Sequence, residues 1–88
     1  MSVTVYLSTH MDSYTGGRTK VEAQGSTLFQ IMADLERHYP GLRFRIIDEQ
    51  NRIRRHINVF VGAERAEDLS HTVTAGEEIH ILAALSGG

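Results

Sequence analysis

Histidine is the first residue type in this sequence that suggests a metal or acid–base site. Five histidines occur among the 88 residues, namely His10, His38, His56, His71 and His80. No two of them have the HxH or HxxxH spacing that brings two rings to one metal ion from a single strand or helix, and no cysteine adds a thiolate. We therefore expect solvent-facing histidines and no metal site.

The complete absence of cysteine limits the chemistry further. It excludes a disulfide-stabilised secreted domain, an iron–sulfur cluster and a cysteine nucleophile. The serines lie in no nucleophile-elbow motif, and neither a GxGxxG sequence nor a P-loop occurs. These patterns predict a protein that is not an enzyme, holds no cofactor and does not bind ATP by itself.

Arginine is clustered in one segment. Five of the nine Lys and Arg residues lie within thirteen positions, as Arg43, Arg45, Arg52, Arg54 and Arg55. Such a cluster is compatible with phosphate or RNA binding, but Asp48 and Glu49 interrupt it, the net charge is −2, and we expect no aromatic side chains beside it on which bases would stack. The segment is predicted to be a solvated loop that faces a partner, and nucleic acid is not expected.

The last two residues, Gly87 and Gly88, offer a different chemistry. A C-terminal carboxylate becomes a good electrophile when the AMP group of ATP is transferred to one of its oxygens, which makes that oxygen part of a good leaving group. Attack by sulfide, or by a persulfide followed by reduction of the acyl disulfide with a thiol, then gives a thiocarboxylate, a nucleophilic sulfur that requires no cysteine in this chain. Glycines also fit a narrow enzyme channel because they have no side chain. A glycine-rich end is equally typical of a disordered terminus or a linker, so the pair alone decides nothing.

Composition predicts one small globular domain over residues 1–88, with a flexible Gly-Gly tail at about 84–88. The chain is 41% hydrophobic and 23% charged, which is the balance of a folded domain of this size. Apolar runs are only a few residues long, so no membrane span is expected. The N-terminal residues have neither the basic nor the apolar region of a signal peptide, so we expect a cytoplasmic protein.

Period-two alternation predicts the strands. The first contains Val3, Val5 and Leu7, and the second spans Thr19–Gln24 after a polar stretch that ends in a flexible turn at Tyr14–Gly17. Later strands are predicted at Ile57–Val61, as a short return strand at Arg65–Ala66, and at Glu78–Ala83.

One main helix is predicted from about Thr27 to Tyr39. Thr27 and Gln30 have the spacing of a capping box, and Leu28, Ile31, Met32 and Leu35 form one apolar face. Asp34, Glu36 and Arg37 are expected on the opposite, solvated side. Leu42, Phe44, Ile46 and Ile47 suggest a short helical turn that anchors the connection to the next strand.

This element order and the terminal segment Ile81–Gly88 resemble the ubiquitin-like sulfur-carrier family. That family includes the small subunit of molybdopterin synthase and the sulfur carriers of the thiamine and cysteine pathways. The segments Tyr14–Gly17, Leu28–Leu35 and His56–Val61 look most like the cysteine-pathway type. The resemblance implies an α+β fold, the ubiquitin-like β-grasp, with a five-stranded mixed sheet in the order 2-1-5-3-4 packed on one main helix.

The resemblance also implies a function and its partners. Gly88, with Gly87 beside it, would be adenylated by a ubiquitin-activating-like enzyme that uses ATP, and the resulting thiocarboxylate would supply sulfur for cysteine or a related sulfur metabolite. The acceptor would be an enzyme such as a cysteine synthase or the molybdopterin synthase large subunit, and a metalloprotease is a further candidate partner. Three alternatives stay open: a molybdopterin synthase small subunit, a ubiquitin-like protein modifier, and an RNA-binding or adaptor β-grasp module.

Strand parity predicts a partner-binding surface. If Val5, Val59 and Ile81 point at the helix, the alternate residues lie together on the open face of the sheet. Exposed apolar clusters of this kind often mark interaction sites. The predicted partner-binding residues are Tyr6, Phe60, His80 and Leu82, with Leu85 and Ser86 in the terminal segment.

Overall fold

The structure, a computed structural model, describes residues 2–83. It contains five strands, two α-helices and one 3₁₀ helix. The strands are β1 (Ser2–Leu7), β2 (Lys20–Gln24), β3 (Ile57–Val61), β4 (Glu64–Arg65) and β5 (Glu78–Ala83). The helices are the 3₁₀ helix Thr9–Tyr14, α1 (Leu28–His38) and α2 (Leu42–Ile46).

The strands form one mixed sheet in the order β2-β1-β5-β3-β4. The central strands β1 and β5 are parallel, and each of the other neighbouring pairs is antiparallel. The predicted five-stranded β-grasp sheet and its strand order are confirmed. β5 is the middle strand, so its last residue, Ala83, lies in the interior of the sheet and not in an edge strand.

The core lies between α1 and one face of the sheet. Alternate residues of each long strand point into it, while Leu28, Ile31, Met32 and Leu35 close it from the helix with no exposed surface. Burial of each such side chain contributes roughly 1.5–3 kcal/mol before chain entropy is counted. The apolar face predicted for the helix is buried, and Leu7, Val21, Val59 and Ile81 of the strands are buried with it.

The start of α1 differs slightly from the predicted capping box. Thr27 Oγ1 accepts a hydrogen bond from the Gln30 backbone N–H at 3.3 Å, as expected. The Gln30 side chain, however, accepts from the backbone N–H of Ser26 at 2.7 Å and from the Ser26 hydroxyl at 2.9 Å. The return bond therefore reaches one residue further back than in a capping box, to Ser26, which donates through both its backbone N–H and its hydroxyl.

Asp34 does not lie on a solvated side of α1, so that prediction is wrong. Only 5% of the residue is exposed. Its Oδ2 accepts from the backbone N–H of Gln24 at 2.9 Å, and its Oδ1 accepts from Arg37 at 2.5 Å. Together the Arg37 bond, the Gln24 bond and the nearby His38 ring hold the pKa of Asp34 below its usual value of 3.8, although burial opposes them. The carboxylate thus ties the middle of α1 to the end of β2.

The connections contain two further departures from the predictions. Phe44 anchors nothing in the core, since 57% of it is exposed, whereas Leu42, Ile46 and Ile47 are fully buried. The polar stretch after β1 is not only a turn, because the 3₁₀ helix Thr9–Tyr14 buries Met11 completely. In both places, tertiary packing determines which side chain is buried, and the local sequence pattern does not predict it.

Glu36 links the two α-helices. Its carboxylate accepts from the backbone N–H groups of Gly41, at 3.0 Å, and Arg43, at 3.0 Å. These N–H groups at the start of α2 have no partner within that helix, so Glu36 satisfies them. Within residues 2–83, no helix is long and apolar enough to cross a membrane.

Candidate functional site

The open face of the sheet carries a row of side chains across its three central strands. Tyr6 is in register with His80, and His80 is in register with Phe60. The Tyr6 and His80 rings stack with centroids 4.7 Å apart and planes 8° apart. Leu82 follows His80 by two positions on the same face and is 47% exposed. We call Tyr6, Phe60, His80 and Leu82 the sheet-face patch.

Two charged residues border the patch at the Tyr6 end. Glu78 accepts from the Tyr6 hydroxyl at 3.4 Å, and its other carboxylate oxygen lies 3.5 Å from His80 Nε2. The Lys20 ammonium lies 5.8 Å from the centre of the Tyr6 ring, within the range of a cation–π contact. The patch is therefore polar at one end and apolar at the Leu82 end, towards the end of β5.

Glu78 and Lys20 were not among the predicted site residues. Their signal is the same parity that identified the patch, since Glu78 lies two positions before His80 in β5 and Lys20 is in register with Tyr6 in β2. The placement of Tyr6, Phe60, His80 and Leu82 on the open face is confirmed, and their role in binding a partner stays a prediction. The remaining predicted site residues, Leu85, Ser86, Gly87 and Gly88, lie outside the described residues.

The end of β5 is fixed by its pairing with β3. Ala83 is in register with Ile57, the first residue of β3, and packs partly into the core. The backbone carbonyl of Ile81 also accepts from Ser8 N–H at 3.1 Å. The segment that leads to Gly88 therefore starts at a strand that is held on both sides.

The arginine-rich segment is more ordered than a solvated loop. Asp48 accepts from the backbone N–H groups of Arg52 and Gln50, at 3.0 and 2.9 Å, and these bonds, the Arg52 bond foremost, lower the pKa of its carboxyl. Arg52 also lies 3.8 Å from Asp48 as an ion pair. The bend 48–52 is thus organised around one carboxylate.

Aromatic side chains do accompany the arginines, contrary to the prediction. The Arg54 guanidinium lies 4.4 Å from the centre of the Phe44 ring and donates to the Phe44 carbonyl at 2.6 Å. The Arg43 guanidinium lies 5.9 Å from the Phe29 ring. Phe29 comes from α1, so its approach depends on tertiary packing. The exposed rings of Phe29 and Phe44 are thus each paired with a guanidinium.

Metal-ligating residues are dispersed in the part of the chain that the structure describes. No group of three or more His, Cys, Asp or Glu side chains in residues 2–83 is arranged to hold a metal ion. His71 is half-buried and lies 3.5 Å from a Glu64 oxygen, while His80 belongs to the sheet-face patch. The prediction that the protein uses no metal stays a prediction.

A shallow groove of about 670 Å³ runs along the outer side of α1 beside the end of β2. It is lined by Gln24, Gly25, Ser26, Phe29, Gln30, Ala33, Asp34 and Arg37. Its buried carboxylate, Asp34, is already bonded to Gln24 and Arg37, and the Gln30 amide oxygen is bonded to Ser26. These hydrogen bonds within the chain account for the polar side chains of the groove without a ligand.

Comparison with known proteins places this arrangement in a family. Residues 5–88 match the model of the ThiS family. The chain is 33% identical over 93 residues to the sulfur carrier protein CysO of Mycobacterium tuberculosis and to that of Mycobacterium bovis, and the match covers all of each protein.

Solved structures show the same fold. A chain of the Amycolatopsis orientalis BexX/CysO complex superposes with a TM-score of 0.89 at 36% identity, covering 98% of this chain and 99% of that one. Mycobacterium tuberculosis CysO superposes with a TM-score of 0.88 at 32% identity, covering 94% and 99%. Haloferax volcanii SAMP1 has the same fold at a TM-score of 0.83 and 24% identity, with both chains covered completely. The chain therefore belongs to the ThiS family of ubiquitin-like sulfur carriers.

Proposed function

We propose that this protein is a sulfur carrier whose Gly88 carboxylate is adenylated by a partner enzyme and converted to a thiocarboxylate. The observation that carries the proposal is the identity of 33% along the whole length of proteins named sulfur carrier protein CysO. The family match extends to residue 88 and so includes Gly87 and Gly88.

The chemistry requires only a terminal carboxylate from this chain. A carboxylate oxygen of Gly88 attacks the α-phosphorus of ATP, and pyrophosphate leaves. Hydrosulfide then attacks the acyl carbon, the bond to the phosphate oxygen breaks, AMP leaves, and the thiocarboxylate remains. With a persulfide donor the first product is an acyl disulfide, which a thiol reduces to the thiocarboxylate. The partner supplies catalysis and ATP binding, and the carrier supplies the reacting end.

The sheet-face patch supports a docking role in this reaction. An enzyme that encloses the terminal segment must also approach β5, and the exposed apolar residue nearest the end of that strand is Leu82. Apolar anchors surrounded by polar residues are typical of the centres of protein interfaces. We propose that Tyr6, Phe60, His80 and Leu82 contact the activating enzyme, with Leu85 and Ser86 following into its channel.

The sulfur is proposed to serve cysteine or a related sulfur metabolite, because the relatives that cover the whole chain carry the CysO name. The structural match to a chain of the BexX/CysO complex supports a carrier that works with a protein partner. Structures of small archaeal modifier proteins are at most 24% identical to this chain and bear on the fold alone.

Release of AMP tests the first step. The protein, its cognate activating enzyme, ATP and sulfide should together release AMP, and a variant that lacks Gly88 should not. Lys20→Arg is the matched control, because it removes the only lysine and so the only side-chain site for isopeptide branching. AMP release that survives deletion of Gly88 would contradict the proposal. Supplying the thiocarboxylated protein to a cysteine synthase or to a molybdopterin synthase large subunit then separates the two acceptors.

A further inference from the structure

An arginine-lined cleft lies at the β4 edge of the sheet, apart from the sheet-face patch. Its volume is about 440 Å³. Three arginines from two segments meet there: Arg54 and Arg55 before β3, and Arg65 in β4. Among the described residues, the lining consists of Ile53, Arg54, Arg55, Ile57, Arg65, Ala66 and Glu67.

Within residues 2–83, the lining of the cleft has an excess of positive charge. Among residues 2–83, none of Arg54, Arg55 and Arg65 has a carboxylate oxygen within 4 Å, unlike Arg37 and Arg52. The lining holds three arginines and one carboxylate, Glu67. Arg55 and Arg65 are exposed. This local excess of positive charge stands out on a chain whose net charge is −2.

The cleft lies beside the end of β5. Ile57, which lines it, is in register with Ala83, the last residue of β5. Because β5 and β3 are antiparallel, the residues that precede β3, including Arg54 and Arg55, lie at the same end of the sheet as the end of β5. An enzyme that contacts the end of β5 therefore approaches the end of the sheet where Arg54 and Arg55 lie.

We propose that Arg54, Arg55 and Arg65 dock acidic side chains at the rim of the enzyme channel that receives the C-terminal segment. The inference rests on the proposed function, which requires such an enzyme. Guanidinium groups match carboxylates in two-point geometry, and complementary charges at an interface rim accelerate association and orient the partners. The cleft would thus steer the acidic rim towards the end of β5, while the sheet-face patch supplies the apolar contact.

An acidic protein surface explains the cleft better than RNA. Its lining contains no aromatic residue on which a base would stack, and the nearby Phe44 ring is already covered by Arg54. The net charge of −2 also repels a long polyanion, whose many charges extend beyond the cleft. An acidic rim presents only a few charges and can lie close to the arginines alone.

The test measures the association rate constant with the cognate activating enzyme, by surface plasmon resonance at low and high salt and without turnover. The Arg55→Glu, Arg65→Glu double variant should associate about tenfold or more slowly at low salt, and the difference should shrink as salt screens the charges. The Arg55→Gln, Arg65→Gln variant should show a smaller loss. Thermal unfolding of each variant confirms that it is folded.

Arg18→Glu is the matched control. Arg18 is also exposed, but it precedes β2, the opposite edge strand of the sheet. The Arg18→Glu variant should change the association rate constant less than twofold. If the association rate constant falls equally with Arg18→Glu, per reversed charge, only the net charge matters and the inference is overturned. An unchanged rate constant in the double variant would also overturn it.

Two further measurements separate the inference from the proposed function and from the RNA alternative. Intact-mass analysis shows whether the wild-type protein gains sulfur; if it does while the double variant associates normally, the function stands and the inference fails. If wild type gains no sulfur, the function fails, and the association rates still decide the inference. A wild-type protein that does not bind the enzyme at all overturns both.

Binding of a fluorescent single-stranded RNA tests the RNA alternative. If the double variant loses this binding while its association with the enzyme is unchanged, the cleft is assigned to RNA and the inference is overturned.

Discussion

Tyr6 and His80 lie directly across from each other on the parallel strands β1 and β5, and their rings are stacked with planes 8° apart. The stack is held at its polar end by Glu78, which contacts both side chains. A side chain fixed in this way loses little conformational entropy when a partner covers it. The sheet face therefore presents a pre-ordered platform beside the more exposed Leu82.

Charge placed in the apolar part of this platform should weaken binding to the activating enzyme. Phe60→Asp and Leu82→Asp are each expected to cost about 2 kcal/mol or more of binding free energy, because interface energy is concentrated in a few apolar anchors. Isothermal titration calorimetry measures the loss, and circular dichroism verifies the fold. The control is Phe29→Asp, since Phe29 is 52% exposed but belongs to α1 on the other side of the sheet. Unchanged affinity in both sheet-face variants would show that the patch is ordinary surface.

Asp34 should make stability depend on acid pH. Its pKa is lowered in the folded protein, chiefly by the Arg37 hydrogen bond, so its contribution is present above the unfolded value near 3.8 and is lost as pH falls through the folded value. Asp34→Ala should cost roughly 1–3 kcal/mol at pH 7, because the Gln24 N–H loses its acceptor. Urea unfolding between pH 7 and acid pH measures both effects.

The matched variants for this prediction are Asp34→Asn and Glu49→Gln. The amide introduced by Asp34→Asn would keep an oxygen for the Gln24 N–H but cannot titrate, so this variant should lose less stability at pH 7 than Asp34→Ala and vary less with pH below about 4. Glu49 is exposed, and its substitution should change the free energy of unfolding by less than about 0.5 kcal/mol. Equal pH dependence in wild type and Asp34→Asn would show that Asp34 does not link acid to stability.

Gly25 should tolerate no larger residue at the junction of β2 and α1. Its φ is 157°, and a Cβ there would lie 2.8 Å from Gln30 Cβ and 2.9 Å from the Ile31 backbone nitrogen. Gly25→Ala is expected to destabilise the protein by about 2 kcal/mol or more, because a backbone atom cannot move aside cheaply. Gly76→Ala is the control for strain alone, since Gly76 has a φ of 89° with nothing within 4 Å of its added Cβ. A Tm loss no larger for Gly25→Ala than for Gly76→Ala would contradict the steric explanation.

The sequence predicts those parts of the fold that depend on local periodicity. Alternation in β1, β3 and β5 and the apolar stripe of α1 identify the core face, and with it the positions of Tyr6, Phe60, His80 and Leu82. The element order and the resemblance supply the strand order, which alternation alone does not contain.

The remaining features depend on contacts between distant segments. Asp34 is buried because it meets the end of β2, and no helical pattern within α1 encodes that neighbour. Arg65 joins Arg54 and Arg55 only because the chain turns at Gly62 and pairs β4 with β3. The Phe29 ring reaches Arg43 through the packing of α1 against α2. For the same reason, the sequence predicts a loop for the arginine-rich segment, whereas in the structure Arg54 and Arg55 of this segment line a cleft.

Formation of a thiocarboxylate at Gly88 is measured by the intact mass of the protein after incubation with its activating enzyme, ATP and a sulfur source. We predict a gain equal to the exchange of one oxygen for one sulfur, located by fragmentation in the C-terminal peptide that ends in Gly88. The Lys20→Arg variant should show the same gain, and the variant without Gly88 should show none while keeping the Tm of the wild type, because a terminal glycine contributes no apolar side chain to a core. An unchanged mass with an enzyme proven active, or a sulfur gain that persists without Gly88, would contradict the assignment of this protein as a sulfur carrier.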